Sequence, residues 1–429
     1  MCYVCTVKVT ISGIRGIVGK DYTLQDTISF CRGFVGIMNS KTCVIGRDTR
    51  PTSNMISNIV SSVLASYNID TLDLGVMPTP VIFREARRYG AGIVITSSHN
   101  TIEWNGLKFI INGRSVNKAE INRIKSGTNN ILNKNSYGNT KYYTSSYVDD
   151  ILDIVKVDGT PSILIDAGGG AATDIASKIL KKIGCQTDII HNTHIRTDPT
   201  AGGLEDLVTK STKYDAGVAF DTDGDRLVLV MNGAVQPPDV TLGLGVAAAI
   251  KQGYRKFVIS MDSSVLIERY ITDRGGRVWR APVGEANVID AMTHNGAFVG
   301  GEGSSGGFIF SKFNYCRDGL FTSALIASMI HDGFAHDTLN DITGSTIIRE
   351  KIIGSADIIQ NIIDKISQIS TQVDTTDGIR TIINDDTWIL IRPSNTEDII
   401  RVSAEAPTLD KCRNVINQVK SIIYDGQRT

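Results

Sequence analysis

The sequence predicts several α/β domains in series, closed by a smaller α+β unit. Three observations carry that reading. The chain has 429 residues, more than one hydrophobic core usually serves, so two to four domains are expected. Short apolar runs alternate with amphipathic helical patterns for most of its length, the rhythm of parallel or mixed sheets with crossover helices. After "ITGSTIIREKIIG" (342–354) the rhythm changes, and strand-like runs follow one another.

Taken in order, "KTCVIGRD" (41–48) reads as a strand and turn. "SNMISNIVSSVLASYN" (53–68) has apolar residues at 55, 56, 59, 60, 63 and 64, one stripe of an amphipathic helix. "IDTLDLG" (69–75) and "AGIVITSS" (91–98) read as further strands. The pattern resumes with strand "SILIDAGGG" (162–170), helix "ATDIASKILKKIG" (172–184) and strand "CQTDIIHN" (185–192). "YDAGVAFDTDGDRLVLVMNG" (214–233) is strand, loop, strand; "RKFVIS" (255–260) and "AFVGGEGSSGGFIF" (297–310) come next. The closing unit has a helix over 356–371, strands "GIRTIIN", "TWILIRPS" and "IIRVSAEA", and a last helix over 408–424. Polar, turn-rich stretches at 133–146, 232–239 and 335–345 suggest the seams, giving domains 1–157, 158–236, 237–343 and 344–429.

Apolar residues make up 41% and charged residues 21%, an ordinary globular balance. A net charge of -1 supplies no global basic field for nucleic acid. No stretch reaches about 18 apolar residues, so no membrane span is expected. The N-terminus lacks the pattern of a signal peptide. Of seven scattered cysteines only Cys2 and Cys5 form a C-x-x-C, without the second pair a zinc site needs. Free thiols in a reducing cytosol are the better account. The expectation is a cytoplasmic protein, monomer or homodimer, that acts on or binds a small molecule.

Four loops carry chemistry. In "ITSSHNTIEWNGLKF" (95–109), Ser98 ends an apolar strand, with His99 beside it and Lys108 returned by a turn at Asn105-Gly106. A serine at such a corner can be a nucleophile or a phosphate carrier, and Lys108 can neutralise phosphate oxygens. A polar turn with His99 and Asn100 capping backbone groups is the plainer alternative. No G-x-S-x-G surrounds Ser98, which disfavours a Ser-His-Asp hydrolase. In "FDTDGDRLVLV" (220–230), Asp221, Asp223 and Asp225 crowd one loop between apolar strands. Their mutual repulsion calls for a cation, and hard oxygen donors favour Mg²⁺ or Ca²⁺. An EF-hand fails, because Arg226 and Asn232 stand where its Gly and Glu belong. In "GGEGSSGG" (300–307), glycines surround Glu302, Ser304 and Ser305, which suits sugar hydroxyls, or a flexible hairpin tip. "RPSNTED" (392–398) with Arg401 makes an anion cradle, or a surface turn. "ILIDAGGGAAT" has Thr173 where a dinucleotide-binding loop has its third glycine, so a tight turn is expected there.

These four loops, in this order and at these intervals, resemble the α-D-phosphohexomutase family over nearly the whole chain. The resemblance implies three similar α/β domains plus a C-terminal α+β domain around a central cleft. It implies interconversion of hexose 6-phosphates and 1-phosphates through a phosphoserine enzyme and a hexose 1,6-bisphosphate. Carried over position by position, Ser98 matches the serine that bears the phosphoryl group, and Asp221, Asp223 and Asp225 the Mg²⁺ ligands, with a phosphoserine oxygen completing the site. Glu302 and Ser304 or Ser305 match the sugar-hydroxyl binders. Arg392, Ser394, Asn395, Thr396 and Arg401 match the clamp on the phosphate that is not reacting. "SGIRGIVG" (12–19) makes Arg15 an active-site arginine, and Arg226 follows the aspartates as in the family. "APVGEANV" (281–288), with Gly284 and Glu285, stands at the specificity loop.

There are departures. Thr101 replaces the usual proline after His-Asn, Thr222 the first glycine of the metal loop, and Asp398 the proline after the clamp's Thr-Glu. The sugar loop is one residue longer than G-E-x-S-G. None deletes a group the chemistry needs. The acid Glu285 could attract a protonated 2-amino group, which leans the substrate towards glucosamine phosphate, ahead of a glucose/mannose enzyme. A sugar-phosphate phosphatase and a non-catalytic sugar-phosphate binder are the remoter alternatives. Either Lys108 or His99 is expected to move the hydroxyl proton.

Overall fold

The computed structural model describes residues 7–11, 13–127, 136–192, 194–353, 373–384, 386–393 and 399–427. The helix expected over 356–371 lies outside them, as do Ser394, Asn395, Thr396 and Asp398. Among the described residues no helix is long and apolar enough to cross a membrane.

Three sheets repeat one plan. In the first, Asp70–Val76, Thr42–Arg47 and Ala91–Ile95 run parallel, and Trp104–Ile111 closes them antiparallel. In the second, Gln186–Ile189, Ser162–Asp166 and Ala216–Phe220 are parallel and Leu227–Met231 antiparallel. In the third, Arg277–Ala281, Lys256–Ser260 and Val299–Glu302 are parallel and Gly307–Phe310 antiparallel. Each time the central strand comes first in sequence, its outer neighbour second, and a hairpin strand last. The first sheet gains Gly13–Ile17, antiparallel to Trp104–Ile111, which brings Arg15 opposite Gly106. The fourth sheet is wholly antiparallel, in the order Thr346–Ile353, Ile399–Ala406, Thr387–Pro393, Ile379–Asn384, Val373–Asp374.

The sequence explains the burial. Every residue of Ala91–Ile95, Ala216–Phe220 and Val299–Glu302 is buried, as expected of strands in the middle of a sheet covered on both faces. Helix Thr79–Tyr89 opens after Pro78 and stops at Gly90, whose φ of 91° only glycine adopts without strain. One large apolar core runs continuously through the first three sheets and their helices. The last sheet builds its own core against helix Leu409–Gln427. Trp388 and Leu390 pack on Met261 across the seam to the third sheet. The buried Glu405 fixes that seam by accepting from Ser264 Oγ at 2.6 Å and Val265 N at 2.9 Å. The glycines of 168–170 form a tight turn that backs the metal loop: Ala171 N donates to the Thr222 carbonyl at 2.9 Å.

Candidate active site

Three of the four chemical loops occupy one topological place. Each is the turn between the last parallel strand and its antiparallel partner, beyond the carboxyl end of that strand. Open α/β sheets bind ligands outside those ends, where backbone groups are free of the ladder.

Ser98 sits in the left-handed region, with φ 53°. A non-glycine residue holds that conformation only when its surroundings fix it. They do. Ser98 N donates to Thr96 Oγ1 at 2.8 Å. The Arg50 guanidinium donates to four carbonyls of the loop: Ser98 at 2.6 Å, Asn100 at 2.6 Å, Trp104 at 2.9 Å, and Thr101. Its Nε bonds Asp48 Oδ2 at 2.9 Å, and that carboxylate also accepts from Thr96 Oγ1 and Ser53 Oγ, both at 2.7 Å. Asp48 and Arg50 are buried. They had a sequence signal, a paired charge directly after an apolar strand, but no visible partner until the loop folds over them.

His99 Nδ1 stands 3.4 Å from Ser98 Oγ and 2.8 Å from Arg226 Nη2. A guanidinium only donates, so Nδ1 is the acceptor and the ring proton belongs on Nε2. Arg226's charge first, then burial, hold the imidazole well below its ordinary range, so it is neutral. Arg226 also takes both oxygens of Asp198, at 3.2 and 3.1 Å. Arg15 Nη1 reaches Asn100 Oδ1 at 3.2 Å.

Asp221, Asp223 and Asp225 are fully buried, and one oxygen of each lies within 4.8 Å of the others. Lys108 Nζ bonds Asp223 Oδ2 at 2.8 Å and Asp225 Oδ2 at 3.2 Å. Thr79 Oγ1 donates to Asp223 Oδ2 at 2.6 Å, and Arg226 N to Asp221 Oδ1 at 3.2 Å. That leaves Asp221 Oδ2, Asp223 Oδ1 and Asp225 Oδ1 buried with no hydrogen-bond partner. Three orphaned carboxylate oxygens in one place fit a cation, and the all-oxygen set fits a hard one. Burial, then the charges of Asp223 and Asp225, push the Asp221 carboxyl well up. Burial works the same way on Asp225, but Arg317 and Lys108 outweigh it and hold that carboxyl low. Burial disfavours the Lys108 cation, yet Asp223 and Asp225 hold it charged. Lys108 thus takes one oxygen each of Asp223 and Asp225 and leaves the other without a partner, where a cation could sit.

In the sugar loop, Glu302 is buried and accepts from Gly284 N at 2.8 Å and Arg317 Nη1 at 3.0 Å. Ser305 is buried and donates to the Glu302 carbonyl at 3.2 Å, whereas Ser304 is part-exposed. The glycines meet backbone: Gly306, at φ 61°, would put a Cβ 2.2 Å from the Leu227 carbonyl of the metal-loop strand. Glu285 does not present an open charge. Its Oε2 accepts from Arg317 N at 3.0 Å and pairs with Arg317 Nε at 3.4 Å, and its Oε1 accepts from Ser115 Oγ at 3.2 Å. With both oxygens engaged inside the protein, Glu285 offers no free charge to a protonated amino sugar.

In the fourth sheet, Arg392 pairs directly with Arg401, and Arg401 with Lys351. The sheet approaches the sugar side through Asp377, whose Oδ2 accepts from Val283 N at 2.8 Å. Hydrogen bonds thus join the serine, metal, sugar and specificity loops. Arg317, the residue between the last three, carried no sequence signal.

Four domain families match the chain in series. They are phosphoglucomutase/phosphomannomutase alpha/beta/alpha domain I at residues 7–135, domain II at 145–234, domain III at 237–346, and the C-terminal domain at 351–421. A protein of Pyrococcus abyssi named "Probable phosphoglucosamine mutase" is 30% identical over 97% of each chain. One of the same name from Pyrococcus horikoshii is 31% identical over 96% of this chain and 98% of its own. Among solved structures, a phosphoglucomutase/phosphomannomutase family protein of Burkholderia thailandensis superposes with a TM-score of 0.85 at 23% identity, covering 98% of each chain. That likeness concerns the fold.

Proposed function

The chain belongs to the phosphoglucomutase/phosphomannomutase family of α-D-phosphohexomutases, and from that premise we propose that it interconverts a hexose 6-phosphate and 1-phosphate, glucosamine phosphate first. The observation that carries the chemistry is the strained, clamped Ser98 tied through His99 and Arg226 to three aspartates with orphaned oxygens.

In the resting enzyme Ser98 bears a phosphoryl group. The free hydroxyl of the bound hexose monophosphate attacks it, the bond from phosphorus to Ser98 Oγ breaks, and a hexose 1,6-bisphosphate forms. The hydroxyl proton ends on Ser98 Oγ; His99 Nδ1 stands 3.4 Å from that oxygen, but its lone pair already accepts from Arg226, so it is not free to carry the proton. Asp221, Asp223 and Asp225 would hold Mg²⁺, which supplies charge neutralisation at the transferring phosphoryl group. Lys108, Arg226 and Arg15 contribute fixed positive charge to the same step. Glu302 and Ser304 take the sugar hydroxyls, since the Ser305 hydroxyl donates to the Glu302 carbonyl. Arg392 and Arg401, with 394–396, grip the distal phosphate, reading its charge and not the carbon that bears it. That tolerance lets the bisphosphate turn end for end and return its other phosphate to Ser98.

The amino sugar rests on the names of the two Pyrococcus relatives. A glucose or mannose phosphate is the second reading, favoured by Glu285 being engaged with Arg317. The cytoplasm is the compartment we assign, on the five free, buried cysteines among the described residues.

The test is transfer of label. Incubation with a ³²P-labelled hexose 1,6-bisphosphate should label Ser98, and Ser98→Ala should take up none and lose turnover by about a thousandfold or more. Near-normal turnover in that variant sinks the covalent role.

A further inference from the structure

Arg317 belongs to none of the four loops, yet it joins two of them to the specificity loop. Its Nη2 donates to Asp225 Oδ2 of the metal loop at 2.9 Å, and its Nη1 to Glu302 Oε2 of the sugar loop at 3.0 Å. Its Nε pairs with Glu285 of the specificity loop at 3.4 Å. Only 12% of the side chain is exposed. The backbone that presents it is anchored to the elements packed behind it: Asn314 Nδ2 donates to the Pro80 carbonyl at 2.8 Å, and Tyr147 OH to Asp318 Oδ1 at 2.5 Å. One guanidinium on a fixed base thus answers three carboxylates from different loops.

We propose that Arg317 is a positioning residue that orients Glu302 for the sugar hydroxyls while its charge holds the cation site weaker than the three aspartates alone would make it. This rests on the function proposed above. Two opposite effects follow from the contacts. Glu302 is pinned at both oxygens, by Gly284 N and by Arg317, and each oxygen keeps a lone pair for a sugar hydroxyl. Losing Arg317 frees that carboxylate, so sugar binding weakens. Asp225 gives Oδ2 to Arg317 and leaves Oδ1 orphaned on the cation side. A guanidinium and a divalent cation on one buried carboxylate repel each other, so losing Arg317 tightens cation binding. General damage to the site would weaken both ligands.

Two variants separate charge from shape. Arg317→Gln removes the charge. Arg317→Lys keeps it, but one ammonium cannot span Asp225 and Glu302. Mn²⁺ binding is measured by electron paramagnetic resonance on the apo protein, and glucosamine 6-phosphate binding by calorimetry. Arg317→Gln should bind Mn²⁺ about tenfold more tightly and the sugar phosphate about tenfold more weakly. Arg317→Lys should weaken the sugar phosphate similarly and leave Mn²⁺ within about twofold of the wild type. Parallel weakening of both ligands in both variants, or unchanged binding of both, overturns the proposal. If the wild type binds neither Mn²⁺ nor any hexose phosphate, the proposed function falls, and this role with it.

Discussion

Replacing Arg50 by Met tests whether the serine loop is held by design of a single side chain. The guanidinium makes five hydrogen bonds, four of them to loop carbonyls and one to Asp48, all out of solvent. Methionine fills the volume and donates nothing. Removing one member of a buried ion pair costs about 3–5 kcal/mol, because Asp48 is left buried with no cation to compensate it. Four carbonyls lose a charged donor as well, so the loop itself should open first. Hydrogen exchange reads this directly: protection of the amides over 98–104 should fall by about 3 kcal/mol or more, while strand Val299–Glu302 in the third sheet keeps its protection. Turnover should fall about a hundredfold, the cost of a reacting group displaced by about 1 Å. The double variant Asp48→Asn with Arg50→Met relieves the buried charge. It should recover part of the stability, with a coupling of about 2 kcal/mol, and none of the turnover. If Arg50→Met exchanges like the wild type and turns over within about threefold of it, the clamp is not what holds Ser98.

Three further outcomes follow. Asp223→Asn removes a cation ligand and a Lys108 partner together; metal-dependent thermal stabilisation, about 2.7 kcal/mol for the wild type at a hundredfold excess over Kd, should vanish in calorimetry, and an unchanged shift would place the cation elsewhere. Ser304→Ala should raise KM for the sugar phosphate several-fold while Ser305→Ala leaves KM near the wild-type value, because the Ser305 hydroxyl is spent on the Glu302 carbonyl; the reverse pattern in steady-state kinetics contradicts that assignment. Burial raises the thiols of Cys31, Cys43 and Cys316 and pushes Cys185 up to about 12, so iodoacetamide at pH 8 should leave all four unmodified in peptide maps of the native protein, and rapid native labelling refutes their burial.

Most of the parallel strands and three hairpin loops were legible in the sequence because each is a local pattern, whereas Gly13–Ile17 and Arg277–Ala281 were not read as strands. An apolar run that breaks at Ser98, Asp221 or Glu302 marks both a strand end and a chemical group. The aspartate triad was legible for the same reason: three charges in five residues force the question of a cation. Arg50 and Arg317 were not, because their roles are defined across 48 to 92 residues of separation, as in the bonds to Ser98 and Asp225. Glu285 shows the converse. Its charge invited a partner from the substrate, and the fold had already supplied one in Arg317, a residue 32 positions away. A charged side chain in a loop tells what it can bind, and only the packing tells whether it is already bound.

The central claim is phosphoryl transfer between the two ends of a hexose. ³¹P resonance spectra would be followed with Mg²⁺ and a trace of hexose 1,6-bisphosphate, offering glucosamine 6-phosphate, glucose 6-phosphate and mannose 6-phosphate separately. The account predicts a growing 1-phosphate signal, fastest with glucosamine 6-phosphate and lost in Ser98→Ala. Inorganic phosphate alone, or unchanged spectra with all three sugars, would contradict it.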